Sequence, residues 1–166
     1  MDNGIIAGMK PKLVAAVLIV AALIFFSGCA VQNSDLSVKY KAITQAGIKD
    51  YTTTINVSPD GNYDFEITGQ IQEKFSKKLS QAEIDELIQL VQKNNFFSLP
   101  EDLSAKPGDC MDGATVQMEI TLNGQTHKSG GYCVQDNGFS EIGQKLYDIY
   151  QFDPAIVEKY KNLNGY

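Results

Sequence analysis

The sequence predicts an α+β domain: an antiparallel sheet of about five strands with two helices packed on one face, plus a short C-terminal helix. Three observations carry this. Pro59-Asp60-Gly61 divides two alternating apolar stretches that match when folded back on it. Ser80-Gln81-Ala82-Glu83 opens a run with helical apolar spacing, and Asn123-Gly124 divides a second pair of alternating stretches. Strands, then a helix, a hairpin and another helix make layered α+β and not a series of parallel crossovers.

Each element follows from local chemistry. Val38, Tyr40 and Ala42 alternate with lysines, giving a first strand that ends near Gly47. At 59–61 proline presets φ and glycine accepts the left-handed position. Such a turn pairs Val57 with Tyr63, Ile55 with Phe65 and Thr53 with Ile67, with the apolar residues on one face. Thr54, Asn56, Asp64 and Glu66 take the other face, so turn and pattern fix the same register. Gln70 to Ser76 reads as a further hairpin-linked strand with Ile71 and Phe75 on one face. Ser80 is then an N-cap, Glu83 completes a capping box, and Leu79 and Ile84 hold the staple positions. Ile84, Leu87, Ile88 and Val91 form the apolar stripe, and Asn94-Asn95 ends the helix. Phe96, Phe97 and Leu99 continue into the core before Pro100. Val116, Met118, Ile120 and Leu122 alternate as a strand, and the returning strand Gln125–Cys133 is polar and contains Gly130-Gly131, which suits an edge. Phe139, Ile142, Leu146 and Ile149 mark the second helix; Asp153-Pro154 fits the cap and first position of a short last one containing Ile156 and Tyr160.

Ahead of this domain the composition changes. Lys10 and Lys12 precede an apolar run of 14 residues from Leu13 to Phe26, closed by Ser27-Gly28-Cys29. Charged, apolar, then small is the order of a secretory signal. At about 1.5 Å per residue the run spans roughly 21 Å as a helix, short of the roughly 30 Å hydrocarbon core. Phe26-Ser27-Gly28-Cys29 resembles the lipobox of prokaryotic lipoproteins, in which Leu, a small residue and Gly or Ala precede the cysteine; Phe26 departs from the usual Leu. The resemblance implies that Cys29 is lipidated, becomes the first mature residue and anchors the protein to a membrane on the extracytoplasmic side of the cell envelope. The expected organisation is a signal peptide at 1–28 with its effective start at Met9, a lipidated tether at 29–37, and one α+β domain at 38–166. The domain itself resembles a family of small domains of unknown function seen in prokaryotic lipoproteins. The shared features are the Tyr40 strand, the Asp60-Gly61 hairpin, the Leu79-Ser80-x-x-Glu83 helix start and the Asn123-Gly124 strand pair. That resemblance implies no activity.

Removing residues 1–28 takes two lysines from 14 and one acid from 20, leaving 12 against 19 and a net charge of −7. The chain has no arginine. An acidic, arginine-free surface excludes nucleic acid as a partner and gives no electrostatic hold on anionic lipid. Membrane contact is expected through the lipid on Cys29 alone. Cys110 and Cys133 remain as an even pair in an exported context, which favours a structural disulfide; Cys-x-x-Cys redox spacing is lacking.

Pro100 to Gly113 is a long loop bearing Glu101, Asp102, Asp109 and Asp112, pinned at Cys110. It reads first as a solvated acidic loop and second as the candidate partner-contact loop, because contact residues concentrate on loops held by a scaffold. Asp60-Gly61-Asn62-Tyr63-Asp64 imitates the start of a calcium loop, but Phe65 stands at its sixth position and Ile71 at its twelfth, where Gly and Glu belong. His127, the single histidine, has no nucleophile or second ligand in register and reads as a strand residue. With no nucleophile–base pair, metal cluster or phosphate loop, no catalytic residue, metal or cofactor is expected. The expected function is a non-catalytic binding or interaction module with an envelope protein partner. The alternative is an exported inhibitor of a hydrolase, which a protruding rigid loop at 101–112 would favour.

Overall fold

The structure, a computed structural model, describes residues 35–46, 49–111 and 113–164. The expected signal, the lipobox-like motif with Cys29 and most of the expected tether lie outside the described residues. The fold is α+β. Six strands form one sheet: β1 (Leu36–Ala46), β2 (Lys49–Val57), β3 (Asn62–Gly69), β4 (Glu73–Lys78), β5 (Ala114–Leu122) and β6 (Gln125–Tyr132). Among the described residues three helices accompany them: α1 (Gln81–Lys93), α2 (Asn137–Gln151) and α3 (Pro154–Asn164). The sheet therefore has one strand more than expected. No helix among the described residues is long and apolar enough to cross a membrane.

The strand order is β4-β3-β2-β1-β5-β6, with every pairing antiparallel. Strands β1 to β4 form a meander; α1 and the acidic loop then carry the chain back so that β5 pairs with β1. The expected hairpin register is met, with Ile55 opposite Phe65 and Val57 opposite Tyr63. Two boundaries are corrected. The first strand takes in Leu36 and Ser37, assigned above to the tether, because Leu36 opposes Leu122 and is 2 % exposed. The fourth strand begins at Glu73, because its pairing ends at Ile67 opposite Glu73; Ile71 falls on the turn and is exposed instead of sharing a face with Phe75.

Alternation puts one set of side chains inside. Leu36, Val38, Tyr40 and Ala42 of β1, Thr53, Ile55 and Val57 of β2, and Tyr63 and Phe65 of β3 are all buried. Met118 and Ile120 of β5 continue that layer. The helices supply the opposing layer through Leu87 and Val91 of α1 and Phe139, Ile142, Leu146 and Ile149 of α2, the predicted stripes. Gly143 of α2 faces the Tyr40 ring, where an added Cβ would sit in ordinary contact at 3.5 Å. Near its C-terminal end α2 is seated by aromatics: Tyr150 stacks on Phe65 with ring centroids 3.9 Å apart and meets Phe75 edge-on. The fully buried Tyr63 hydroxyl donates a 2.7 Å hydrogen bond to the Leu146 carbonyl.

The start of α1 is held as its sequence demands. Ser80 Oγ accepts from the Glu83 amide, and Glu83 Oε2 accepts from the Ser80 amide at 2.8 Å. Burial alone would raise the Glu83 carboxyl, but the Ser80 amide and the Lys77 ammonium outweigh it and hold the group below the usual carboxylate range. A depressed native pKa stabilises the fold above the unfolded value, about 4.3, and that contribution is lost as pH falls through the native pKa. Ser80→Ala is expected to lower stability by about 1 kcal/mol at neutral pH. Glu83→Gln should flatten the acid limb of the stability curve. Urea denaturation across pH 3–7 checks both, and an unchanged midpoint in Ser80→Ala would mean that the cap contributes nothing. Tyr63→Phe removes only the hydroxyl that joins β3 to α2, and should cost about 1 kcal/mol with the fold retained, measured in the same way.

Candidate functional site

Apart from Gly130, which the strap covers, the buried residues of the sheet lie on its helix side, so the other face is left open and its composition is polar. Successive pairings place Asn56, Lys39, Glu119 and Lys128 in one row across β2, β1, β5 and β6, and Thr54, Lys41, Gln117 and Gly130 in the next. A hollow of about 270 Å³ lies over these rows. It adjoins a cleft of about 430 Å³ bounded by Glu101, Asp102, Gln117, Lys128, Gly130 and Gly131. Gln117 and Lys128 line both, so the two form one trough across the open face.

The rim of the cleft is the first part of the acidic loop. Residues 101–105 run beside β6: Gly130 donates to the Glu101 carbonyl at 3.1 Å, Leu103 to the Gly130 carbonyl at 2.8 Å, and Ala105 to the Tyr132 carbonyl at 2.9 Å. Tyr132 N donates to Ser104 Oγ at 3.0 Å. The backbone groups that an edge strand turns outward are thereby used at Gly130 and Tyr132. The glycines make this approach feasible. A Cβ on Gly131 would lie 2.5 Å from Ser104 Oγ, and one on Gly130 would lie 2.2 Å from the Val116 carbonyl oxygen. Asp102 caps the bend by accepting from the Ser104 amide at 2.9 Å, and the Ser104 hydroxyl together with this amide holds its carboxyl below the usual range.

Seven lysines of the described domain each lie within 4.0 Å of a carboxylate. In the trough, Lys39 pairs with Glu119 at 2.8 Å and depresses that carboxyl, whereas Lys41 and Lys128 have no such ion pair. The trough thus presents two ammonium groups with no carboxylate within 4.0 Å, Lys41 and Lys128, the latter acting on Glu119 at longer range, together with two exposed carboxylates and the side chains of Asn56, Gln117 and Thr54. These groups can hydrogen-bond a polar surface. They do not form a nucleophile with a base, and among the described residues no three His, Cys, Asp or Glu side chains converge to hold a metal ion.

Of the sequence-predicted contact residues, the structure brings Glu101 and Asp102 to the trough. Asp109 lies beyond the strap, in a turn closed by its amide donating to the Lys106 carbonyl at 3.0 Å. Asp112 and Cys29 lie outside the described residues. Cys110 and Cys133 are bonded, with Cα atoms 6.4 Å apart. The β5–β6 register brings this about by placing Cys133 N 2.8 Å from the Ala114 carbonyl. Gly113 clears the space, since a Cβ there would sit 2.7 Å from Cys110 Sγ. His127 faces the core layer of β6, donates from Nε2 to the Leu99 carbonyl at 2.8 Å and meets Phe96 edge-on. The calcium-like stretch is closed by its own side chains: Asp60 accepts from Ser58, and from Asn62 at 2.6 Å. Lys41, Gln117 and Lys128 were not anticipated. Their outward positions in alternating strands were legible, but their convergence needs the β1–β5 pairing, which no local pattern encodes.

No protein-family model matches the chain, and no curated protein matches it either. The class is therefore defined by fold alone, a single-sheet α+β domain with one open polar face.

Replacing Cys110 and Cys133 together by serine should lower stability by on the order of 3 kcal/mol. The strap keeps its own backbone bonds to β6, so the sheet should persist in the variant. Thermal melts together with amide exchange at Gly130 and Tyr132 check this. Fast exchange at both amides in the double variant would show that the strap depends on the disulfide.

Proposed function

We propose that the chain is a membrane-anchored exported lipoprotein whose folded part is a non-catalytic binding module, and that the trough on the open sheet face receives an envelope protein partner. The observation that carries the binding reading is the one-sided sheet: the described helices pack on one face, while the other presents a trough of lysines, amides and carboxylates. The lipobox resemblance at Phe26 to Cys29 supports the anchor. The polarity of the face suits a partner surface that supplies both charge signs, and electrostatic matching of this kind sets register and specificity. The alternative, an exported hydrolase inhibitor, calls for a loop that projects. Residues 101–105 lie flat against β6, which leaves only 106–111 to project.

Two measurements test the reading separately. Intact-mass analysis of the chain produced in a lipidating host should show a lipid adduct on a polypeptide beginning at Cys29; a chain retaining residues 9–28 overturns the anchor. A photo-crosslinking side chain at Gln117, on the open face, should capture one envelope protein, whereas the same group at Gln89, exposed on α1, should not. Equal capture from both positions, or none from Gln117, overturns the assignment of the face.

A further inference from the structure

Among the described residues four large apolar side chains stand in solvent: Ile71, Phe152, Tyr132 and Met111, the last at 86 % exposure. Met111 alone among them carries a thioether, and its place in the chain is specific. It follows Cys110, which the disulfide fixes to the end of β6, so its backbone is anchored while its side chain projects. The other sulfur atoms of the described domain are protected. Cys110 and Cys133 are consumed in their bond, and Met118 is 0 % exposed between the sheet and α2, with its methyl 3.9 Å from the position of a Cβ on Gly143.

A thioether is oxidised only where the oxidant can reach its sulfur lone pair, and the sulfoxide formed is polar and chiral. We propose that Met111 is a modification site: the residue through which peroxide-class oxidants act on this domain, with the fold left intact. The methionine sulfur attacks one peroxide oxygen, the S–O bond forms as the O–O bond breaks, and the departing hydroxide takes the proton from the sulfur-bound oxygen and leaves as water. The sulfur is oxidised by two electrons and the peroxide is reduced by the same two. A dithiol reductant reverses the step, returning the oxygen as water while the dithiol closes to a disulfide. Because Met111 is almost fully exposed, the change is confined to the end of the acidic loop beside the disulfide, where an apolar knob next to Cys110 becomes a hydrogen-bond acceptor. Resting on the proposed function, any contact that the partner makes at Met111 is then oxidant-sensitive, while contacts in the trough are not. Oxidation of Met118, by contrast, would place a polar sulfoxide between the sheet and α2 and unfold the domain.

The test uses the full chain treated with hydrogen peroxide and followed by peptide mass mapping and circular dichroism. The peptide containing Met111 should gain one oxygen at the rate of an unstructured methionine peptide, with Met118 oxidised at least tenfold more slowly and the melting temperature unchanged. In Met111→Leu the domain should gain no oxygen while folded. Oxidation of Met118 at a rate matching Met111 in the native protein, or protection of Met111 relative to the free peptide, overturns the proposal. Loss of the folded spectrum after a single oxidation at Met111 overturns it as well.

Discussion

The seat of α2 on the sheet is the interaction on which the rest depends. Tyr63, Phe65 and Phe75 from neighbouring strands make a surface that Tyr150 closes by stacking, and the buried Tyr63 hydroxyl reaches the helix backbone at Leu146. Tyr40 and Tyr147 meet edge-on further back along the helix, and their burial raises both phenols above the ordinary tyrosine range. These rings stay neutral and behave as core residues whose hydroxyls need partners. Because α2 is fixed in this way, the whole helix layer falls on one side and the opposite face of the sheet stays open. The candidate site is a consequence of that one-sidedness.

The two edges of the sheet are managed by different means. At β6 the chain covers its own edge with residues 101–105, which requires two consecutive glycines at φ 154° and 157°. At β4 the strand is short, with six residues, and bears Lys74, Lys77 and Lys78, each paired with a nearby carboxylate. Short charged edges resist pairing with other chains. The strap therefore serves two ends: it closes an edge that would otherwise be sticky, and it builds the rim of the cleft on the open face. The acidic residues at its start, Glu101 and Asp102, are held in place by backbone bonds, whereas Asp109 is carried by a separate turn. One run of acids in the sequence is thus divided by the fold into two surfaces.

The sequence by itself determined every element whose signal is local. The register at Pro59-Asp60-Gly61, the capping box at Ser80 and Glu83, the α2 stripe and the Asn123-Gly124 hairpin follow from turn chemistry and from periods of two and 3.6 residues, and all are present in the structure. The disulfide was legible too, because the β5–β6 register fixes where Cys133 must fall relative to Ala114. Tertiary structure decided what depends on partners distant in sequence. Leu36 joined β1 because Leu122, 86 positions later, gave it an apolar neighbour. Ile71 was left outside because β3 and β4 stop pairing at Ile67. Lys41, Gln117 and Lys128 became neighbours because β5 chose the free side of β1, a choice set by how the helix layer packs over both strands. Local patterns fix which way a side chain points; only the packed sheet fixes what it points beside.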